Sequence, residues 1–227
     1  MKGDIYHILN RGVEKRKIFS NKKDYMRFVY NLYDFNNIDI TIKSYYQRRK
    51  QSQLAVCSAV VCSAVAPPNI PQKKELVDIL CWCLMPNHIH VLVREKIDKG
   101  ASEFSRKIIG GYTSYFNKIN DRSGVLFQGR TKIIPIKTDK HFLHLPFYIM
   151  ANPIGLLESN WKENGAQNPL KALEFLKSYK YSSFLDIIGK ENFPFIINKK
   201  LFFEFFDSNE RQFGKEFTDW LNTNDNY

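Results

Sequence analysis

Apolar and polar positions alternate in two distinct rhythms along this chain. The clearest strand signal is CWCLMPNHIHVLVR at 81–94, where an apolar run meets a Pro86-Asn87 pair and resumes as Ile89, Val91, Leu92 and Val93. Such β-branched, apolar segments broken by a turn predict buried strands. Asp4 to Asn10 predicts an earlier strand closed by Arg11-Gly12, 38–48 a second, Glu75 to Leu84 a third, and Lys132 to Ile136 an edge strand because of its proline. Helical spacing takes over after Ser20 or Asn21, where Tyr25, Phe28, Val29 and Leu32 share one stripe. It returns from Ala101 or Ser102 to about Asn120, and from Thr138 or Asp139 to Pro153 and Gly155. Pro146 predicts a kink or a late start in this third helix. Beyond Trp161 a polar stretch, ENGAQNP, reads as a loop, and the Phe-rich remainder as two or three amphipathic helices.

Residues 51–74 follow neither rhythm. AVCSAV and VCSAV stand in tandem before Ala-Pro-Pro, which predicts a surface insertion between strands.

Composition narrows the class. Of 227 residues, 44% are hydrophobic and 15% aromatic, enough for a packed core and too apolar for a disordered chain. The formal charge of +11, from 34 Lys and Arg against 23 Asp and Glu, favours a polyanionic partner, nucleic acid above all. Four cysteines lie at 57, 62, 81 and 83 without the CxxC pairs of a zinc site. With no signal peptide and no long apolar run, the expectation is a cytoplasmic protein with no membrane association.

Two of the five histidines, His88 and His90, sit together in the apolar strand. Residues i and i+2 of a strand project from one face, roughly 6.5–7 Å apart at Cα, close enough to grip one divalent ion. Buried imidazoles need partners, since an unsatisfied buried polar group costs about 1–3 kcal/mol. His7 lies in the first strand, within reach of a phosphate or metal, though the simpler reading is an ordinary strand histidine. On the third helix Tyr148 and Asn152 are i, i+4 and share a face.

Taken together, HILNRG at 7–12, IFSNKKDYMRF at 18–28, LMPNHIHVLVR at 84–94, YTSYFNKINDRSGVLFQGR at 112–130, YIMANPIG at 148–155 and YSSF at 181–184 resemble the single-tyrosine HUH transposases, closest to the REP-associated tyrosine branch. The resemblance implies an α+β fold, a ferredoxin-like antiparallel sheet with helices packed on it. Residues 1–160 would form the catalytic domain and 161–227 a C-terminal helical extension. It places His88 and His90 as the metal-binding pair, Asn152 as the amide completing the site for Mg²⁺ or Mn²⁺, and Tyr148 as the nucleophile. A tyrosine hydroxyl is a poor nucleophile at neutral pH, with an ordinary pKa of about 10, and a divalent ion that orients and polarises the phosphate offsets this. The implied reaction cleaves single-stranded DNA near a hairpin through a 5′-phosphotyrosine and rejoins it. A domesticated hairpin-binding protein of the same fold is the alternative, and a replication initiator or relaxase shares the chemistry on longer chains. Monomer and homodimer both occur among relatives.

Tyr112 and Tyr115 are rival nucleophiles, and His144, four residues before Tyr148, is a candidate extra ligand beside His141. Arg11, Arg106, Lys107, Tyr115, Gln128 and Arg130 are candidate nucleic-acid contacts, since basic and aromatic residues clamp phosphates and stack on unpaired bases. The chain departs from the resemblance at Phe147, where relatives often carry Arg, at Pro146, and in the tandem repeat.

Overall fold

A computed structural model describes residues 2–42 and 73–223 of the chain. Strands β1 (Ile5–Arg11), β2 (Val77–Met85), β3 (His88–Glu95) and β4 (Lys132–Pro135) form one antiparallel sheet in the order β2-β3-β1-β4. Helix α1 (Lys22–Asp34) follows β1 and α2 (Gly100–Ile119) follows β3, so among the described residues the strands and the helices between them run β-α-β-β-α-β. The expected α+β class and antiparallel sheet are present. Of the strand expected at 38–48, residues 38–42 form a turn and the first helical residue of a new segment. The rest of it lies outside the described residues, as do 51–72 of the expected insertion.

Local chemistry explains the boundaries. Asn21 accepts from the backbone of Lys23 and Asp24 while Asp24 accepts from Asn21, a reciprocal cap that starts α1. Lys107 and Tyr112 of α2 reach α1 and its flanking loops, and a Cβ on Gly111 would clash with Phe35, so glycine permits that close approach. Pro86-Asn87 forms the β2–β3 turn, which is strapped down by the loop after β1: Gly12 N donates to Asn87 O at 2.8 Å and Ile18 N to Pro86 O at 2.8 Å.

Helix α3 (Asp139–Ala151) begins at Thr138, whose hydroxyl caps His141 N, and runs through Pro146 rather than starting after it. A 3-10 turn over Asn152–Leu156 then leads to α4 (Trp161–Asn164), α5 (Pro169–Ser178), α6 (Phe184–Ile187), α7 (Lys199–Phe206) and α8 (Glu210–Thr223). This C-terminal part closes the outer edge of β2. Leu84 N donates to Tyr181 O, Ser183 N to Trp82 O and Asn198 N to Ile79 O, each at 2.8 or 2.9 Å. An edge strand left open would pair with other chains. The other edge, β4, is short and carries Lys132 and Pro135, which limits pairing there.

α3 is fastened from behind by aromatic rings. Phe147 stacks on Phe213 at 4.8 Å and on Phe217 at 5.7 Å, and Phe142 meets Phe206 at 5.3 Å. Among the described residues no helix is long and apolar enough to cross a membrane.

Candidate active site

The pleat sends His88 and His90 to the same face of β3, and α3 lies across that face. The His88 and His90 rings are 5.0 Å apart, and His90 meets the Tyr148 ring edge-on at 5.9 Å. His90 is 5% exposed and Asn152 1% exposed, so each polar atom here requires a partner.

The partners found are selective. His90 Nδ1 is 2.8 Å from His7 Nε2, and His88 Nδ1 is 2.6 Å from Asn87 Oδ1. Asn87 Oδ1 can only accept, so His88 carries its proton on Nδ1 and keeps a lone pair on Nε2. His90 Nε2 and Asn152 Oδ1 are buried without any hydrogen-bond partner. The Asn152 amide nitrogen donates to Tyr148 O at 2.8 Å, which leaves only its oxygen unsatisfied. A hydrogen-bonded inner nitrogen with an orphaned outer one is how metal-ligating histidines are oriented. His88, His90 and Asn152 therefore fit a divalent ion. Among the described residues, no group of three or more His, Cys, Asp or Glu is placed to hold one, so an amide oxygen and solvent or phosphate oxygens would complete the set.

Electrostatics favour the same state. Burial lowers His88 to about 4, helped by the charges of Lys162 and Arg11, while Asn152 works the other way. Burial also drives His90 well below its ordinary value, and takes His7 to about 4 with help from His141. All three are neutral at pH 7, the form a metal ligand needs.

A stability consequence follows. His7 goes from 6.5 unfolded to about 4 folded, so below pH 6.5 the unfolded chain binds more protons and stability falls with pH. Between pH 7 and 5 this removes about 2 kcal/mol through His7 alone, with His88 and His90 acting in the same direction. Asp186, raised to about 6 by burial, opposes it: it takes up its proton earlier when folded and returns about 1 kcal/mol over the same range. Urea unfolding in metal-free buffer should show net destabilisation at pH 5; equal or greater stability there would contradict the neutral histidines.

The strand register gathers some of the expected contacts and scatters others. Arg11 lies directly opposite His88, and Gln128 N donates to Arg11 O at 2.7 Å, so Arg11 and Gln128 meet at this end of the sheet with Arg130 exposed two residues on. Lys107 is a correction. It is 2% exposed, and its ammonium donates to Asn37 O and Ile38 O in the loop after α1, where DNA cannot reach it. Tyr115 donates to Asp24 on α1, and Arg106 is held by both oxygens of Glu103. Both stand on α2, where the Arg106 side chain is exposed. Tyr112 is fully buried and donates to Ile18 O, which removes it as a nucleophile.

Asn87 and Lys162 escaped the sequence reading, and His7 has a more specific place than that reading gave it. His7 orients His90, and its signal was its parity within β1, which needs the β1–β3 register to be read. Asn87 orients His88 from the turn. Lys162, just before the stretch expected to be a linker or loop, donates to Tyr148 Oη at 2.7 Å, and Trp161 beside it stacks on Tyr148 at 6.2 Å. Next to His88 and Asn152 opens a groove of about 430 Å³ whose walls carry Lys15, Lys17, Trp161 and Lys162.

No family model matches the sequence, and no curated protein matches it. A solved structure of a REP-associated tyrosine transposase bound to a REP hairpin is similar in shape. It has 14% sequence identity over 86% of this chain and 85% of that chain, with a TM-score of 0.47. A likeness at that level assigns no residue a role.

Proposed function

We propose that this protein is a metal-dependent DNA strand transferase of the single-tyrosine HUH type, which cleaves and rejoins single-stranded DNA near hairpins. One observation carries the reading: two buried polar atoms without hydrogen-bond partners, His90 Nε2 and Asn152 Oδ1, belong to residues grouped with His88 and Tyr148, whose rings lie 5.0 and 5.9 Å from that of His90. The β-α-β-β-α-β order with strands β2-β3-β1-β4 is that of a ferredoxin-like sheet, which supports the same assignment.

His88, His90 and Asn152 would hold Mg²⁺ or Mn²⁺, which when bound polarises the scissile phosphate. Asn87 keeps His88 in the required tautomer, and His7, when its Nε2 accepts from His90 Nδ1–H, would do the same for His90. Tyr148 attacks the phosphorus, its oxygen presented by the rigid α3 and by the ring contacts with His90 and Trp161. Arg11, Lys15 and Lys17 line the approach and bind the DNA backbone, so affinity falls as salt rises. The product, a 5′-phosphotyrosine with a free 3′-OH, conserves the phosphodiester energy, which allows rejoining without a nucleotide cofactor.

The test is a denaturing gel of the protein with labelled single-stranded DNA from the flanks of its own gene, with Mn²⁺ or with a chelator. A protease-sensitive shifted band that requires the metal is expected. DNA binding with no such band on any flanking hairpin would replace this reading with that of a hairpin-binding protein lacking turnover.

A further inference from the structure

We propose that Lys162 is a catalytic residue of this site, supplying the positive charge that stabilises the Tyr148 oxygen in both cleavage and rejoining. The inference rests on the strand-transfer reading and adds a residue from outside the strand and helix that define it.

The geometry is specific. Lys162 Nζ donates to Tyr148 Oη at 2.7 Å and stands 4.8 Å from the centre of the same ring. Among the described residues no carboxylate pairs with Lys162, so its charge is directed at the phenol oxygen and not neutralised by an acid. An exposed lysine ordinarily gains little from holding one position, because its four-carbon stem loses rotamer freedom. Here the position is imposed by the backbone. Trp161 is buried and stacked on Tyr148, and its neighbour is thereby delivered over the hydroxyl. Gly155 eases that seat, since a Cβ there would lie 3.1 Å from Trp161 Nε1 and push the ring back by a few tenths of an ångström. The 3-10 turn after α3 thus folds the chain back so that α4 covers the tyrosine.

The chemistry gives this charge a use. When the Tyr148 Oη–P bond forms, the P–O3′ bond breaks, the phenolic proton passes to water in the open groove, and the departing 3′ oxygen takes a proton from water. With Lys162 donating to one lone pair, the other faces phosphorus. In rejoining, the 3′-OH attacks and gives its proton to water, the P–Oη bond breaks, and the same ammonium stabilises the leaving phenolate until water returns a proton to it. A donor fixed where charge develops contributes most in a site that needs no reorganisation. Lys162 therefore acts on one oxygen in both directions, whereas a lysine that only binds DNA acts on affinity.

The experiment uses the full chain and its Lys162→Met and Lys162→Arg variants. Single-turnover rates are measured for adduct formation and for resealing by an added 3′-OH strand, together with DNA affinity by fluorescence anisotropy and the melting temperature. Lys162→Met should slow cleavage and resealing alike by about 100-fold, the scale of losing one fixed donor to a developing oxyanion. Its DNA affinity should stay within about threefold and its melting temperature unchanged, because the side chain is exposed. Lys162→Arg should recover about tenfold of the loss, since it keeps the charge with altered geometry. Rates near wild type in Lys162→Met would overturn the proposal. So would a loss confined to affinity, or a fall in melting temperature that makes the lysine structural. A wild-type protein that forms no adduct would overturn the strand-transfer reading and this role with it, whereas a normal adduct in Lys162→Met would overturn the role alone.

Discussion

Replacing Tyr148 with phenylalanine is expected to abolish the covalent protein–DNA species while leaving DNA affinity within about twofold, the pattern of a group acting only in the chemical step. The substitution removes a single atom, Oη. The ring keeps its stack on Trp161 and its edge contact with His90, and Lys162, the donor to that oxygen, is exposed and can turn to water. No buried group is orphaned, so the fold should not register the change. Four of the other described tyrosines are engaged elsewhere. Tyr112 and Tyr179 donate to the carbonyls of Ile18 and Leu84, and burial pushes both hydroxyls far up. Tyr115 is held by Asp24, and burial raises Tyr25 to about 12. Denaturing gels and anisotropy on the same preparation measure both quantities. An adduct that persists in Tyr148→Phe would move the nucleophile elsewhere, and lost affinity would make Tyr148 a binding contact.

Phe213→Ala is expected to cost about 3–5 kcal/mol in urea unfolding, the range for a fully buried aromatic ring. Phe213 is completely buried and meets Phe147, Phe202, Phe206 and Phe217 with ring centres between 4.8 and 6.4 Å. Collapse around the gap is limited because those rings come from three separate helices. The loss should reach the active site, because Phe147 is the residue before Tyr148. Phe205→Ala gives the contrast: that ring is half-exposed, and its removal should cost less than about 1.5 kcal/mol. A Phe213→Ala protein as stable as wild type would show that α8 does not brace α3.

The same cluster accounts for Phe147, the position where the resemblance leads one to expect arginine. Its ring is seated between Phe213, Phe217 and Trp220, so here the position anchors α3 to the C-terminal helices and does not reach for phosphate. Pro146 is also absorbed, since it is buried inside a helix whose flanking packing is aromatic.

How much of this was legible differs by element. β3 and its histidines could be read because a strand has a period of two, so His88 and His90 must share a face whatever the strand pairs with. Tyr148 and Asn152 could be read because a helix puts i and i+4 together. The cap at Asn21 and the edge character of β4 are equally local. Lys107 could not be read: a lysine on a polar-looking helix turn predicts an exposed charge, and only the approach of α1 supplies the two carbonyls that bury it.

The sequence by itself therefore determined which faces the histidines, the tyrosine and the amide occupy, because those depend on backbone periodicity alone. Tertiary structure decided which faces meet. The β1–β3 register, across 83 residues, set His7 against His90, and the turn at Asn152–Leu156 carried Lys162 back onto Tyr148. Contacts of that kind arise from the summed packing of distant elements, and no local spacing encodes them.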